Sequence, residues 1–522
     1  MKQIFNPYLP IDEYVPDAEP HVFGDRIYVY GSHDKEAGDT FCMLDYVCYS
    51  APVNDLKEWR YEGVIYRADQ DPDYQVENSS NSPVKREYMY APDVVQGNDG
   101  KYYLYYCMSG WTGQGGYHGP IQVAVCDTPA GKYEYLGYVK NPDGTPMLDY
   151  VCFDPAAIND NGIIRIYYGT QYSFEEEDGF FENESAISSE MDMFHKSREE
   201  ILSYAKKDSV MGPCMVVLSD DMLTVKDPAK HIIPYKVKGT SFEEHPFFEG
   251  SSIRKINNKY YFIYSSMQNH ELCYAVSDYP DRDFVFGGTI VSNGDVGLHG
   301  RKESQRLNMT GTTHGSIENI NGEWYVFYHR LTHKSDYSRQ GCAEKISIDE
   351  NGHIAQAAMT SCGLNGGPLA SKGTYPAVIC CHLTNGNMPH GSNKKYEEHF
   401  PHIGSENNER FIKELQNNAL IGYKYFSFEP NKDHSYETEF NKNFAVVVKS
   451  KKEAVLEIYQ DIPADYAAGE EGCKTPLCKM SIPASNDWIT VETEVSFHKG
   501  VTPLYLKYIS HGEGCLKEII FK

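Results

Sequence analysis

The sequence predicts an all-β protein in which a five-bladed β-propeller is followed by a β-sandwich. A strand motif rich in aromatic residues occurs five times, and its copies begin 76, 62, 96 and 64 residues apart. A four-stranded sheet with its turns needs about that many residues, so each copy marks one blade. The copies are GDRIYVYGS at 24–32, GKYYLYYCM at 100–108, GIIRIYYGT at 162–170, NKYYFIYSS at 258–266 and GEWYVFYHR at 322–330.

A second short β-like run precedes each aromatic strand, and near its start lies a residue that can bind or titrate. These residues are Asp17, Asp93, Asp154, Glu249 and His314. If the run is the innermost strand of its blade, the five side chains converge at one mouth of the central channel. One Asp beside a Pro or a turn is ordinary turn chemistry. Five such residues at the same phase of five repeats indicate a functional site.

The predicted propeller spans residues 1–350 and is followed by two further regions. Within it, the stretch SREEILSYAKK and the capping pattern of Ser197 and Glu200 predict a helix inside an insertion at 173–210. Residues 351–385 are rich in Gly and Pro and are interpreted as a connector. From 386 to 522, short alternating strands separated by polar turns predict the β-sandwich.

Composition excludes several classes of partner. The formal net charge is −26, from 74 acidic and 48 basic residues, which argues against nucleic-acid binding. The chain has no run of 18 apolar residues that would span a membrane. Its start, MKQIFNPYLP, lacks the apolar region of a signal peptide, and its 14 cysteines follow no framework spacing. We therefore expect reduced thiols and a cytoplasmic location. Cys473 and Cys478 have no second pair or nearby His, so a zinc site is rejected.

Taken together, the motifs of residues 1–350 resemble glycoside hydrolase family 43. The resemblance implies an inverting exo-glycosidase that removes terminal α-L-arabinofuranosyl or β-D-xylosyl residues from hemicellulose-derived oligosaccharides such as those of xylan degradation. Galactosidase and arabinanase activities are alternatives within the family. The segments that carry the resemblance are NPYLP followed by Asp17, YAPDVVQGNDGKYYLYY, FDPAAINDNG, FFEGSSIRKINNKYYFIYSS and THGSIENINGEWYVFYHR.

The C-terminal region is similar to a family-6 carbohydrate-binding module. The similarity rests on GYKYFSF, NDWITVETEVSF and GVTPLYLKYISHGEG. Sugar binding and simple support of the propeller are both open for this region. The oligomeric state is open as well.

The resemblance assigns roles to three carboxyl groups. Asp17 is expected to be the general base, Glu249 the general acid, and Asp154 the group that orients the acid and adjusts its pKa. Inversion needs the base and the acid about 6.5–9.5 Å apart, one ionised and the other protonated. The family usually has Asp-Pro at the base, whereas this chain reads PDAEP at 16–20, so Glu19 remains an alternative base.

Three further residues are expected near the substrate. Asp93 is interpreted as a structural or substrate-orienting carboxylate. His314 matches a histidine that relatives place beside a central calcium or sodium ion, and its alternative role is a direct bond to substrate or to a carboxylate. Trp111 is expected to stack on a sugar ring or to pack at the rim. No organic cofactor is implied.

Two other readings explain the sequence less well. Retaining fructoside hydrolases share the propeller but carry Asn-Asp-Pro-Asn and Arg-Asp-Pro motifs, where this chain has Val-Pro-Asp-Ala and Phe-Asp-Pro. A non-catalytic sugar-binding propeller gives no reason to gather three carboxylates, since placing like charges together is costly. Protein-interaction propellers have shorter repeats of about 40–50 residues.

Overall fold

The computed structural model describes residues 2–74, 87–109, 117–171, 184, 187–188, 191, 197–203, 212–234, 237–391, 395–429 and 438–522. Strands dominate these residues, which confirms the all-β prediction. The predicted helix is present as α1 (Arg198–Ser203), directly after Ser197. No helix in the described part of the chain is long and apolar enough to cross a bilayer. Short 3-10 helices occupy Ala68–Gln70, Asn293–Asp295, Leu298–Gly300, Glu303–Gln305, Gly363–Asn365 and Ala377–Ile379.

Five antiparallel sheets follow one another between residues 19 and 346, and neighbouring strands pair in chain order. Sheet 1 contains β1 (Glu19–Phe23), β2 (Arg26–Tyr30), β3 (Tyr46–Pro52) and β4 (Arg60–Tyr66). Sheet 2 contains β5 (Met89–Gln96), β6 (Tyr102–Ser109), β7 (Tyr117–Cys126) and β8 (Glu134–Tyr138). Sheet 3 contains β9 (Ala156–Asp160), β10 (Ile163–Tyr168), β11 (Cys214–Leu218) and β12 (Val225–His231).

Sheets 4 and 5 complete this series. Sheet 4 contains β13 (Phe247–Ile256), β14 (Lys259–Ser266), β15 (Glu271–Ser277) and β16 (Val285–Ser292). Sheet 5 has three strands in the described residues, β17 (Ser316–Ile320), β18 (Glu323–Leu331) and β19 (Arg339–Ile346). In every sheet the aromatic motif found in the sequence is the second strand, and the preceding β-like run is the first.

The first strands of the five sheets form a closed ring. Strand β1 contacts β5, β5 contacts β9, β9 contacts β13, β13 contacts β17, and β17 contacts β1. A separate apolar core fills each junction between adjacent sheets, including the junction of sheet 5 with sheet 1. Tyrosines such as Tyr105 and Tyr168, both fully buried between sheets 2 and 3, supply much of this packing. Because both faces of each second strand are covered, these strands read as nearly continuous apolar and aromatic runs.

Two further sheets enclose one large apolar core at the C-terminal end. One contains β20 (Leu369–Ala370), β22 (His382–Thr384), β25 (Ala419–Phe428), β27 (Ala454–Tyr459), β28 (Cys478–Ile482) and β30 (Gly500–Ser510). The other contains β21 (Gly373–Pro376), β23 (His402–Glu406), β24 (Glu409–Leu415), β26 (Glu439–Ser450), β29 (Ser485–His498) and β31 (Gly514–Phe521).

The segment predicted as a connector, 351–385, contributes three short strands to these two sheets. Strands β20 and β22 pair with β25, and β21 pairs with β31. Strands of two to four residues are too short to leave a periodic pattern in the sequence, which is why only their Gly and Pro content was visible.

A buried charged cluster joins the two sets of sheets. Asp295, which follows sheet 4, accepts hydrogen bonds from Nζ of Lys424 at 2.6 Å and from Nε2 of His382 at 2.8 Å. All three side chains are buried. Burial and the charge of Lys424 lower the pKa of His382 to about 4, so its ring is neutral. With Nε2 donating to Asp295, Nδ1 accepts from the hydroxyl of Tyr505, 3.0 Å away, and both nitrogens are satisfied.

Candidate active site

Residues from four sheets meet at one end of the ring of first strands. Asp17, Asp154 and His314 each lie two residues before a first strand, and Glu249 lies within β13. The Nδ1 atom of His314 is 3.9 Å from a carboxylate oxygen of Asp17 and 3.7 Å from one of Asp154. The backbone N–H of Gly250, the residue after Glu249, donates to Asp154 over 3.1 Å. The sequence repeat therefore brings these four predicted residues together.

The backbone at this site is held in conformations that side chains rarely adopt. Asp17 has a φ of 56° and Asp154 a φ of 46°, both in the left-handed region. Such a conformation costs about 1–3 kcal/mol per residue and is typical of functional sites. Gly250 has a φ of 72°, and a Cβ atom there would lie 3.0 Å from the ring of His314. The Glu249-Gly250 pair thus lets β13 approach His314 closely.

Arg339 is the cation of the site. Its Nη1 donates to both carboxylate oxygens of Asp17, at 2.8 and 3.0 Å. Its Nε and Nη2 donate to the two oxygens of Asp34, at 2.9 and 3.0 Å. The backbone N–H of Asp17 donates to Nδ1 of His329, whose Nε2 donates to the carbonyl of Thr312. The general-base candidate is therefore fixed through both its side chain and its backbone.

The three carboxyl groups differ in their affinity for protons. Burial pushes the pKa of Asp17 up, but Arg339 and His329 outweigh it and hold that pKa well below the usual range. Burial and the neighbouring charge of Asp17 raise the pKa of Glu249 to about 8. Burial, Glu249 and Asp17 together raise the pKa of Asp154 well above its ordinary value. At neutral pH the site holds an ionised Asp17 and a protonated Glu249.

Exposure separates the acid candidate from its neighbours. Asp17 and Asp154 are buried, whereas Glu249 is only half-buried. A protonated carboxyl group with an accessible edge can reach the oxygen of a bound leaving group.

His314 is neutral and has one unused nitrogen. Burial lowers its pKa to about 4 despite the nearby charge of Asp17. Its Nε2 is buried and has no hydrogen-bond partner among the described residues. A buried nitrogen of this kind can face an ion or the water around one.

A second polar layer lies along the same first strands and includes Asp93 and Glu19. Asp93 is fully buried, and its two oxygens accept bonds from Nε2 of His21 at 2.6 Å and from the backbone N–H groups of Val94 and Ala157, both at 2.7 Å. Its hydrogen bonds therefore run to residues of sheets 1, 2 and 3 rather than to Asp17, Asp154 or Glu249. Donor atoms of Glu19, His21 and Asp93 lie within 4.8 Å of one another and could hold a metal ion.

The alternative base, Glu19, belongs to this second layer. Nη2 of Arg254 donates to Glu19 over 3.1 Å. Burial and the charge of Asp93 raise the pKa of Glu19 to about 7. A general base must be ionised at the working pH, and Asp17 meets that requirement better than Glu19 does.

Trp111 lies outside the described residues. The sequence analysis did not identify Arg339, Asp34 or His329 as site residues. His329 is the penultimate residue of the fifth aromatic motif, and that position was a usable signal. No motif marks Arg339 or Asp34, because their importance arises from a contact between residues 305 positions apart.

Comparison with known proteins gives a consistent result. The model of glycosyl hydrolases family 43 matches residues 6–179. A xylosidase/arabinosidase from Thermoclostridium stercorarium is 39% identical over 531 residues, covering 99% of this chain and 98% of that protein. A xylosidase/arabinosidase from Bacteroides ovatus is 30% identical over 62% of this chain and 87% of that protein.

Among solved structures, the GH43_1 enzyme from Xanthomonas citri complexed with xylose is 24% identical, with a TM-score of 0.49. The similarity covers 68% of this chain and 94% of that one.

Proposed function

The chain belongs to glycosyl hydrolases family 43, and from that premise we propose that it is an inverting exo-glycosidase. It removes terminal α-L-arabinofuranosyl and β-D-xylosyl residues from oligosaccharides derived from hemicellulose. The observation that carries this proposal is the pairing of an ionised Asp17 with a protonated, half-exposed Glu249. The relative that is similar over nearly the whole chain is named a xylosidase/arabinosidase, which supports the choice of sugars.

The proposed architecture is a five-bladed propeller at 1–350, a connector at 351–385 and a β-sandwich at 386–522. The closed ring of first strands and the five cores between adjacent sheets support the propeller. The two C-terminal sheets around one core support the sandwich. We further propose that the sandwich resembles a family-6 carbohydrate-binding module in fold.

In the proposed mechanism, Asp17 accepts a proton from a water molecule as that water attacks the anomeric carbon. Glu249 donates its proton to the oxygen of the departing sugar. Arg339 keeps Asp17 ionised, and the charge of Asp17 helps keep Glu249 protonated, so each group favours the state that the other needs. Asp154 is assigned the orienting role. Asp93 is assigned a structural role, because its oxygens are taken up by bonds within and between sheets.

One calcium or sodium ion is proposed on the axis of the ring beside His314. The buried Nε2 of His314, which has no hydrogen-bond partner among the described residues, fits such an ion or the water around it. When bound, the ion would add positive charge to a channel crowded with carboxylates. A cytoplasmic location is also proposed; the structure records no disulfide among the described cysteines, as expected of thiols in a reducing compartment. Fractionation of producing cells tests that location.

The function is tested by hydrolysis of p-nitrophenyl α-L-arabinofuranoside and p-nitrophenyl β-D-xylopyranoside by the wild type and by Glu249→Ala. We expect turnover of at least one substrate and its loss in the variant. The anomer that forms first, followed by proton NMR, should be opposite to that of the substrate. Retention of configuration would contradict the assigned mechanism. A lack of hydrolysis of both substrates, of galactosides and of arabinan oligomers would contradict the proposed glycosidase function.

A further inference from the structure

The segment between β2 and β3, residues 31–45, connects the catalytic base to the C-terminal sheets. We call it the Asp34 loop. Asp34, within it, accepts three hydrogen bonds from Arg339, which in turn holds Asp17. The backbone N–H of Asp34 also donates to the carbonyl of Tyr14, three residues before Asp17. The loop is therefore connected to Asp17 in two ways, through the side chain of Arg339 and through the backbone at Tyr14.

Glu36, two residues further along the loop, joins it to the C-terminal sheets. One of its oxygens accepts the hydroxyl proton of Tyr14 at 3.1 Å and lies 3.3 Å from Nε2 of His333. The other accepts a hydrogen bond from Nη2 of Arg410 at 2.6 Å. Arg410 lies on β24, 374 residues from Glu36 in the sequence. Both side chains are largely buried, so their attraction is screened less than that of a surface pair.

Phe41, also in the Asp34 loop, contacts Arg339 as well. The ring of Phe41 lies 4.8 Å from the guanidinium carbon of Arg339 and packs edge-on against Tyr337. The backbone N–H of Cys42 donates to Asp34 over 2.9 Å, which keeps the two halves of the loop together. A shift of Glu36 would therefore displace Asp34 and Phe41, both of which contact Arg339.

We propose that Arg410 is a positioning residue for catalysis, acting from the C-terminal sheets through Glu36 and the Asp34 loop on Arg339 and Asp17. The C-terminal sheets are then part of the catalytic unit, whether or not they bind sugar. This inference rests on the proposed function, since it concerns the placement of its general base.

The test compares the full-length wild type with Arg410→Met, Arg410→Lys, Glu36→Gln and the double variant Arg410→Met/Glu36→Gln. Arg410→Met should lower kcat about tenfold and change KM by less than about threefold, because misplacing a catalytic group acts on the transition state. Arg410→Lys should recover part of the loss. If the effect passes through Glu36, the double variant should be no slower than the slower single variant.

Glu470→Gln is the matched control. Like Arg410, Glu470 belongs to the C-terminal part of the chain and contacts the part that contains the first five sheets, since its carboxylate lies 3.8 Å from Arg301. Its ion pair does not involve the Asp34 loop. It should leave kcat unchanged, and all assays are run well below the unfolding transition of each variant. The inference is overturned if Arg410→Met keeps kcat within twofold of the wild type, or if the effects of Arg410 and Glu36 simply multiply. An inactive wild type would instead overturn the proposed function, so the two failures are distinguishable.

Discussion

Two of the buried charged clusters among the described residues, the active site and the cluster of Asp295, differ in their balance of acidic and basic groups. In the active site, Asp17, Asp154 and Glu249 share one guanidinium, that of Arg339, which is also bound to Asp34. At the interface, Asp295 meets Lys424 one to one, with a neutral His382 completing its hydrogen bonds.

The balance of acidic and basic groups sets the pKa values of the carboxyl groups in each cluster. Lys424 and His382 outweigh the effect of burial and hold the pKa of Asp295 well below its usual range, and Asp295 holds that of Lys424 above its own. This cluster keeps fixed charges and contributes to stability. In the active site, carboxyl groups outnumber cations, so the pKa of Asp154 is raised well above its ordinary value and a proton remains bound to Glu249 at neutral pH. Because buried carboxyl groups are in excess over cations, Glu249 keeps a proton that it can transfer to substrate.

The largest effect should come from removing the carboxylate of Asp17, the proposed base, which is paired with Arg339. Asp17→Asn keeps the shape but cannot accept a proton, so kcat should fall by about 10²–10⁴-fold. Glu19→Gln is the comparison, since Glu19 is the alternative base, and it should keep far more activity. Steady-state kinetics on both variants, with circular dichroism to check folding, settle the choice. A greater loss in Glu19→Gln would reassign the base.

Removal of a cation from the balanced cluster should affect stability most. Lys424→Met leaves Asp295 buried without its principal partner, so the free energy of unfolding should fall by about 3–5 kcal/mol. Lys451→Met, in an exposed pair with Glu513, should cost less than about 1 kcal/mol. Urea unfolding monitored by fluorescence measures both. Equal losses of unfolding free energy in Lys424→Met and Lys451→Met would show that the buried Asp295 cluster contributes no more to stability than an exposed ion pair.

The two clusters should also differ in their response to pH. In the proposed mechanism Glu249 donates a proton and must itself be protonated, so kcat/KM should decline as pH rises through about 8. The Asp295 pair should contribute a constant stability over that range. Its carboxyl group releases its proton far below neutral pH, and its ammonium group loses one only above the ordinary Lys range. A basic limb of kcat/KM near pH 5 would show that Glu249 is not held protonated.

The smallest expected effect is on the thermal stability of the protein, through the raised pKa of Glu249. Folding raises the pKa of Glu249, so its contribution to stability is present at low pH and is lost as pH rises towards about 8. Glu249→Gln removes that loss, and its Tm should exceed that of the wild type at pH 8 by more than it does at pH 5. Differential scanning calorimetry at the two pH values measures the difference. A variant that is less stable than the wild type at pH 8 would contradict this account.

The parts of the fold that were predictable are those with a local pattern. The five aromatic motifs were visible because each second strand is buried on both faces, and Ser197 marked the start of α1 through its capping pattern. Asp17, Asp154 and His314 were found because each stands at the same distance before its first strand.

Other parts depend on contacts that no local pattern records. The short strands β20 to β22 gain their partners from residues far along the chain. Arg339 was missed for the same reason, since nothing in RQGCAEKI indicates that its first residue reaches Asp17. The separate roles of Asp17 and Glu19 were undecidable from the PDAEP segment, because alternate positions of one backbone segment face different neighbours.

The distance of 322 residues between Asp17 and Arg339 has a consequence for biosynthesis. The ribosome delivers Asp17, the proposed base, about 16–64 s before its guanidinium partner, at a rate of about 5–20 residues per second. Until then the nascent chain carries an aspartate of ordinary acidity. In the proposed mechanism, catalytic competence is therefore acquired only when the fifth sheet closes against the first.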